Sequence, residues 1–68
     1  MTWSQAINGA GRINKNAVYG THARHTVTAD GRHIIAVTMP DGRYLGTFTC
    51  AALAYVAAGL TVEGRPTC

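Results

Sequence analysis

The sequence predicts an α+β fold, a three-stranded antiparallel sheet packed on one short C-terminal helix, with an N-terminal helical turn or edge strand. Three observations predict it. Ala29-Asp30-Gly31 and Pro40-Asp41-Gly42 are two turn signals spaced for consecutive hairpins. The segments beside them are rich in Thr, Val, Ile and Tyr, which suit a pleated, half-buried surface. Beyond the last such segment, residues 50–58 form an alanine-rich apolar run that ends at Gly59.

Taken in order, Thr2 and Gln5 have capping-box spacing, so residues 3–8 should form a turn or two of helix. Gly9, Gly11 and the nearby asparagines then suggest a loop, and Ala17-Val18-Tyr19 an edge strand. Each hairpin signal fits a three-residue loop, a type I turn closed by a glycine in the left-handed region. Pro40 presets the first turn angle of the second loop. These loops pair Thr28 with Arg32 and Met39 with Arg43, which sets the register. One face then carries His25, Val27, His33, Ile35, Val37, Met39 and Leu45. The other carries Arg24, Thr26, Thr28, Arg32, Ile34, Ala36, Thr38, Tyr44, Gly46 and Phe48. A slip of one residue would scramble this partition. Thr49 is the expected N-cap of a helix over residues 50–58, with Gly59 just past its end and Leu60 packing back. Leu53, Val56 and Leu60 are its expected inner stripe, and residues 62–68 a tail. The whole is one domain, 1–68, with an N-terminal segment (1–20) before a sheet-helix core (24–59).

A chain of 68 residues buries only about 60% of its unfolded surface, so its core is small. Hydrophobic residues make up 47% and charged ones 13%, which argues against disorder. The net charge of +3 suits an anionic partner, but the arginines stand singly and no basic arm is present. Cys50 and Cys68 permit one disulfide, yet Cys68 is the last residue and Cys50 stands where a helix should begin. No charged start with an apolar stretch marks a leader, and residues 50–58 are too short to span a bilayer. These features predict a reduced cytoplasmic protein with no membrane partner, acting in the host-cell cytoplasm if phage-encoded.

His22, His25, His33 and Cys50 are the candidate metal ligands. Zinc needs about four converging ligands. Only His25 and His33 share a face, so no metal and no cofactor is expected. Cys50, His33 and Asp30 are the only nucleophile, base and orienting group on offer, and Asp30 is accounted for by its turn. Gly9-Ala10-Gly11 lacks the preceding strand that a dinucleotide site requires. The chain is therefore read as a binding protein and not an enzyme. On the mixed face Tyr44, Ile34, Ala36 and Phe48 should lie side by side, bordered by Arg24 and Arg32. Apolar and aromatic patches rimmed by arginine serve protein interfaces and single-strand stacking platforms. The competing arrangement has the N-terminal segment, with Trp3, Ile7 and Ile13, folded across that face.

Tyr44-Leu45-Gly46-Thr47-Phe48, followed by a helix with Ala54-Tyr55 and Ala57-Ala58, resembles the AP2-type DNA-binding domain. The similar arm-binding domains of phage integrases share its three strands and helix. The resemblance covers about residues 24–59, with His33-Ile34-Ile35-Ala36-Val37-Thr38-Met39-Pro40 as the middle strand. It implies DNA reading by the sheet face away from the helix, with Tyr44 at a DNA-contacting aromatic position. The family's charged contacts on the middle strand fall here on Ala36 and Thr38, which removes the groups that read bases and hold phosphates. The first expectation is therefore a phage-type inhibitor of the anti-CRISPR kind. It would dock on a larger host nucleic-acid-processing protein or nucleoprotein complex through Tyr44, Phe48, Ile34, Arg24 and Arg32. The second is a DNA- or RNA-binding module using Arg24, Arg32, Arg43 and Tyr44. An unpaired sheet edge also offers a route to a homodimer.

Overall fold

The computed structural model describes residues 1–17 and 19–60, and its architecture is α+β. The elements are α1 (Trp3–Asn16), β1 (His22–Val27), β2 (His33–Thr38), β3 (Tyr44–Phe48) and α2 (Ala51–Ala57). The strands form one antiparallel sheet in the order β1-β2-β3, and both helices lie against the same face. The expected tail lies outside the described residues.

The capping box is present: Thr2 Oγ1 accepts from the Gln5 N–H at 3.1 Å, and the Gln5 side chain accepts from the Thr2 N–H at 2.8 Å. The helix it starts runs far past residue 8, through both glycines, which corrects the expected loop; of the expected edge strand, Ala17 and Tyr19 belong to no strand and Val18 lies outside the described residues. Packing overrides propensity here. Ala6, Gly9, Ala10 and Ile13 recur at helical spacing and all are buried, so α1 has a continuous inner stripe of mostly small residues. Gly9 lets α1 approach α2 so closely that a β-carbon there would stand 2.7 Å from the Ala51 methyl.

Both hairpin loops form as read. The Thr28 N–H donates to the Arg32 carbonyl at 2.9 Å and the Met39 N–H to the Arg43 carbonyl at 2.7 Å. Gly31 and Gly42 take the left-handed conformation that lets each turn close. The β1–β2 register places Ala23, Ile35 and Val37 in the core and His22, Arg24, Thr26, Ile34, Ala36 and Thr38 on the opposite, outer face. On β3 the expected alternation breaks at a bulge. Tyr44 pairs with Thr38, but Val37 pairs with Gly46, so Leu45 is the extra residue. Gly46, at φ 139, supplies a backbone that other residues rarely adopt. Every later side chain therefore changes face. Phe48, paired with Ile35, packs against the core and leaves the outer face, while Thr47 takes an outward place.

The helix α2 starts one residue later than expected, with Cys50 as its N-cap and no side-chain cap bond. Its end is as read: Gly59 adopts a positive φ, its N–H donates to the Val56 carbonyl at 3.0 Å, and Leu60 folds back into the core. Its inner stripe is not. Ala51, Ala54, Tyr55 and Ala58 face inward, while Leu53 and Val56 are 61% and 42% exposed. Small residues on α2 match the small-residue stripe of α1. Among the described residues Ile13, Ile35 and Val37 are the largest fully buried side chains.

One residue with no expected role ties α1 to the sheet. The Asn14 side-chain amide donates to the Ala23 carbonyl at 2.8 Å and accepts from the Ala23 N–H at 2.7 Å. It thus bonds the edge of β1 as a further strand would. Replacing Asn14 with alanine leaves both backbone groups to compete for water, and should cost about 1–3 kcal/mol in urea denaturation. Unchanged stability would show that the contact contributes nothing.

Candidate functional site

With both helices on the inner face, the outer face of the sheet is left open. None of its residues is buried, and Tyr44 is 58% exposed. The N-terminal segment does not fold across it. Trp3 and Ile7 are instead exposed along α1, and Ile13 is in the core.

At one end of this face lies a recess of about 380 Å³, lined by His22, Arg24, Ala36, Thr38 and Tyr44. All three strands contribute. Ala36, opposite Arg24 on β1 and Thr47 on β3, supplies a low floor, and the longer side chains form walls. His22 opposes Thr38, whose hydroxyl donates to the His22 carbonyl at 3.4 Å, and Tyr44 opposes Thr38 from the other side. The bulge at Leu45 follows directly on Tyr44, so the last regular pair of β2 and β3 on this side holds the aromatic ring. Arg43 precedes it in the turn, where its N–H donates to the Asp41 carboxylate at 2.9 Å.

Of the five residues expected to bind a protein partner, the structure brings two together, Arg24 and Tyr44. Phe48 is on the wrong face, as the bulge requires. Ile34 is outward but opposes Thr26, at the other end of β2 from Tyr44. Arg32 sits in the β1–β2 turn, six residues before Thr38, roughly 20 Å away along an extended strand. There it forms an exposed ion pair with Asp30 at 3.1 Å, and Asp30 also accepts from the Thr28 hydroxyl. His22 is the wall residue that sequence reasoning missed. Its signal was the alternation His22, Arg24, Thr26, which extends the outer face of β1 two residues upstream of Arg24.

Apart from His22, the metal and nucleophile candidates are placed elsewhere. His25 Nε2 and His33 Nδ1 meet at 2.8 Å on the inner side of the β1–β2 hairpin, their ring planes inclined by 25° and centroids 5.1 Å apart. The contact is nitrogen to nitrogen at the ring edges, a hydrogen bond in which one ring donates and the other accepts. Among the described residues no three His, Cys, Asp or Glu side chains converge on a metal position. Cys50 is disulfide-bonded, which corrects the expectation of reduced thiols and removes it as a nucleophile. Among the described residues no helix is long and apolar enough to cross a membrane.

Comparison with protein-family models, curated proteins and solved structures finds no match. The functional reading rests on the geometry of the open face.

Proposed function

We propose that the chain is a non-catalytic binding protein that docks, through its outer sheet face, on a larger host nucleic-acid-processing protein or complex and blocks it, as small phage-type inhibitors do. The observation that carries this reading is the recess itself. It is a concave site on an uncovered face, with an exposed tyrosine beside an arginine, the side-chain types that most often dominate protein interfaces. The anchor is smaller than the sequence suggested, because Phe48 is withdrawn and Ile34 lies at the far end. A second copy pairing through a sheet edge would have to displace Asn14 from Ala23 or pair beside the bulge of β3. The Cys50 disulfide runs against a place of action in a reducing host cytoplasm.

The AP2-like nucleic-acid reading keeps one favourable observation: the outward residues of the strands include no carboxylate. Against it, Arg32 is paired with Asp30 away from the recess, which leaves Arg24 and Arg43 as the arginines at this end. Capture from a bacterial lysate on the immobilised chain, with and without nuclease, separates the two. The docking reading predicts a protein retained after nuclease and lost with Tyr44→Ala, a drop of ten-fold or more if Tyr44 contributes about 2 kcal/mol. Retention that needs intact nucleic acid and falls steeply with salt would favour the second reading.

A further inference from the structure

We infer that the recess receives a carboxylate side chain of the protein partner, so that the surface on which this chain docks is acidic. The inference rests on the docking reading above and adds the chemistry of the partner. Of the described polar side chains that line the recess, the Arg24 guanidinium, the Tyr44 hydroxyl and the His22 ring can donate into it, while the Thr38 hydroxyl already donates to the His22 carbonyl. Among the described residues no carboxylate lines it. The two described acids lie in the turns and are already engaged, Asp30 with Thr28 and Arg32 and Asp41 with the Arg43 N–H. Among the described residues Arg24 takes part in no ion pair. A free guanidinium presents a planar fork that matches one carboxylate with two parallel bonds, and a hydroxyl from Tyr44 can add a third.

The same geometry favours a single acidic side chain over a phosphate backbone. The donors converge on one recess at one end of the sheet, and the arginine at the far end is neutralised by Asp30. A nucleic-acid strand would call for cations spaced along its path.

The test uses the full chain, labelled with nitrogen-15, titrated in separate arms with hexaglutamate, hexaglutamine, inorganic phosphate and a short oligothymidylate. Hexaglutamate should give saturable shifts centred on the amides of Arg24, Thr38 and Tyr44, and hexaglutamine none. Arg24→Gln, an exposed change that leaves the core intact, should weaken hexaglutamate binding about ten-fold or more. The inference is overturned if the shifts are absent, if they persist at full strength in Arg24→Gln, or if phosphate or oligothymidylate occupies the recess as well as hexaglutamate does. A captured protein partner that is lost with Tyr44→Ala, yet insensitive to Arg24→Gln and to competing hexaglutamate, would leave docking standing and remove the acidic partner.

Discussion

Replacing Ile35 by alanine should lower the free energy of unfolding by about 2–5 kcal/mol, close to the whole stability of a domain this small. Ile35 is fully buried on the central strand and faces both helices; its Cδ1 lies within 3.1 Å of where a Gly9 β-carbon would be. Among the described residues only Ile13 and Val37 share its standing as large and fully buried, and much of the surrounding core is alanine. Small neighbours cannot move in to fill the cavity, because α1 and α2 already meet at Gly9 and Ala51. The adjacent Ile34→Ala removes the same atoms from the half-exposed outer face and should cost less than half as much. Urea midpoints of the two variants make the comparison, and equal losses would contradict the assigned faces.

The second large effect concerns two glycines of one helix. Gly9→Ala should destabilise the protein by about 1–3 kcal/mol, although alanine is the better helix former by about 1 kcal/mol. The added methyl would stand 2.7 Å from the Ala51 β-carbon and 3.1 Å from Ile35 Cδ1, and neither neighbour can withdraw without parting the helices or the sheet. At Gly11 nothing lies within 4 Å of the same methyl, so Gly11→Ala should stabilise by about 0.5–1 kcal/mol. Thermal melts that move in opposite directions support the helix–helix contact. A gain in both variants would show that α1 and α2 are not held so close.

How much of this was legible in the sequence varies with how local the signal is. The capping box, both three-residue turns and the glycine at the end of α2 are set within a few residues, and each was readable. The β1–β2 register followed from its turn. The β3 register did not, because a bulge at Leu45 shifts pairing beyond any local turn rule, and Gly46 was the only hint. That one residue moved Phe48 from the expected site to the inner face, where it packs against the core. The length of α1 was hidden by glycines that penalise an isolated helix but are required by its contact with α2. On α2 the phase was ambiguous, since alanine at most positions lets several faces read as apolar, and the bulkier Leu53 and Val56 drew the stripe to the wrong side. Asn14 carried no sequence signal, because its partner is backbone on another element. For the site, Arg24 and Tyr44 were found from their face, and His22 was considered only as a metal ligand.

The central claim is that the open sheet face, and not the apolar residues exposed on the helices, makes the contact with a partner. It is tested most directly by capture from nuclease-treated lysate on Tyr44→Ala, set beside the helix variant Leu53→Ser, both checked for native melting. The account predicts that Tyr44→Ala loses the captured protein and that Leu53→Ser, exposed on the opposite layer, retains it. Retention by Tyr44→Ala with loss in Leu53→Ser would contradict it and move the site to the helices.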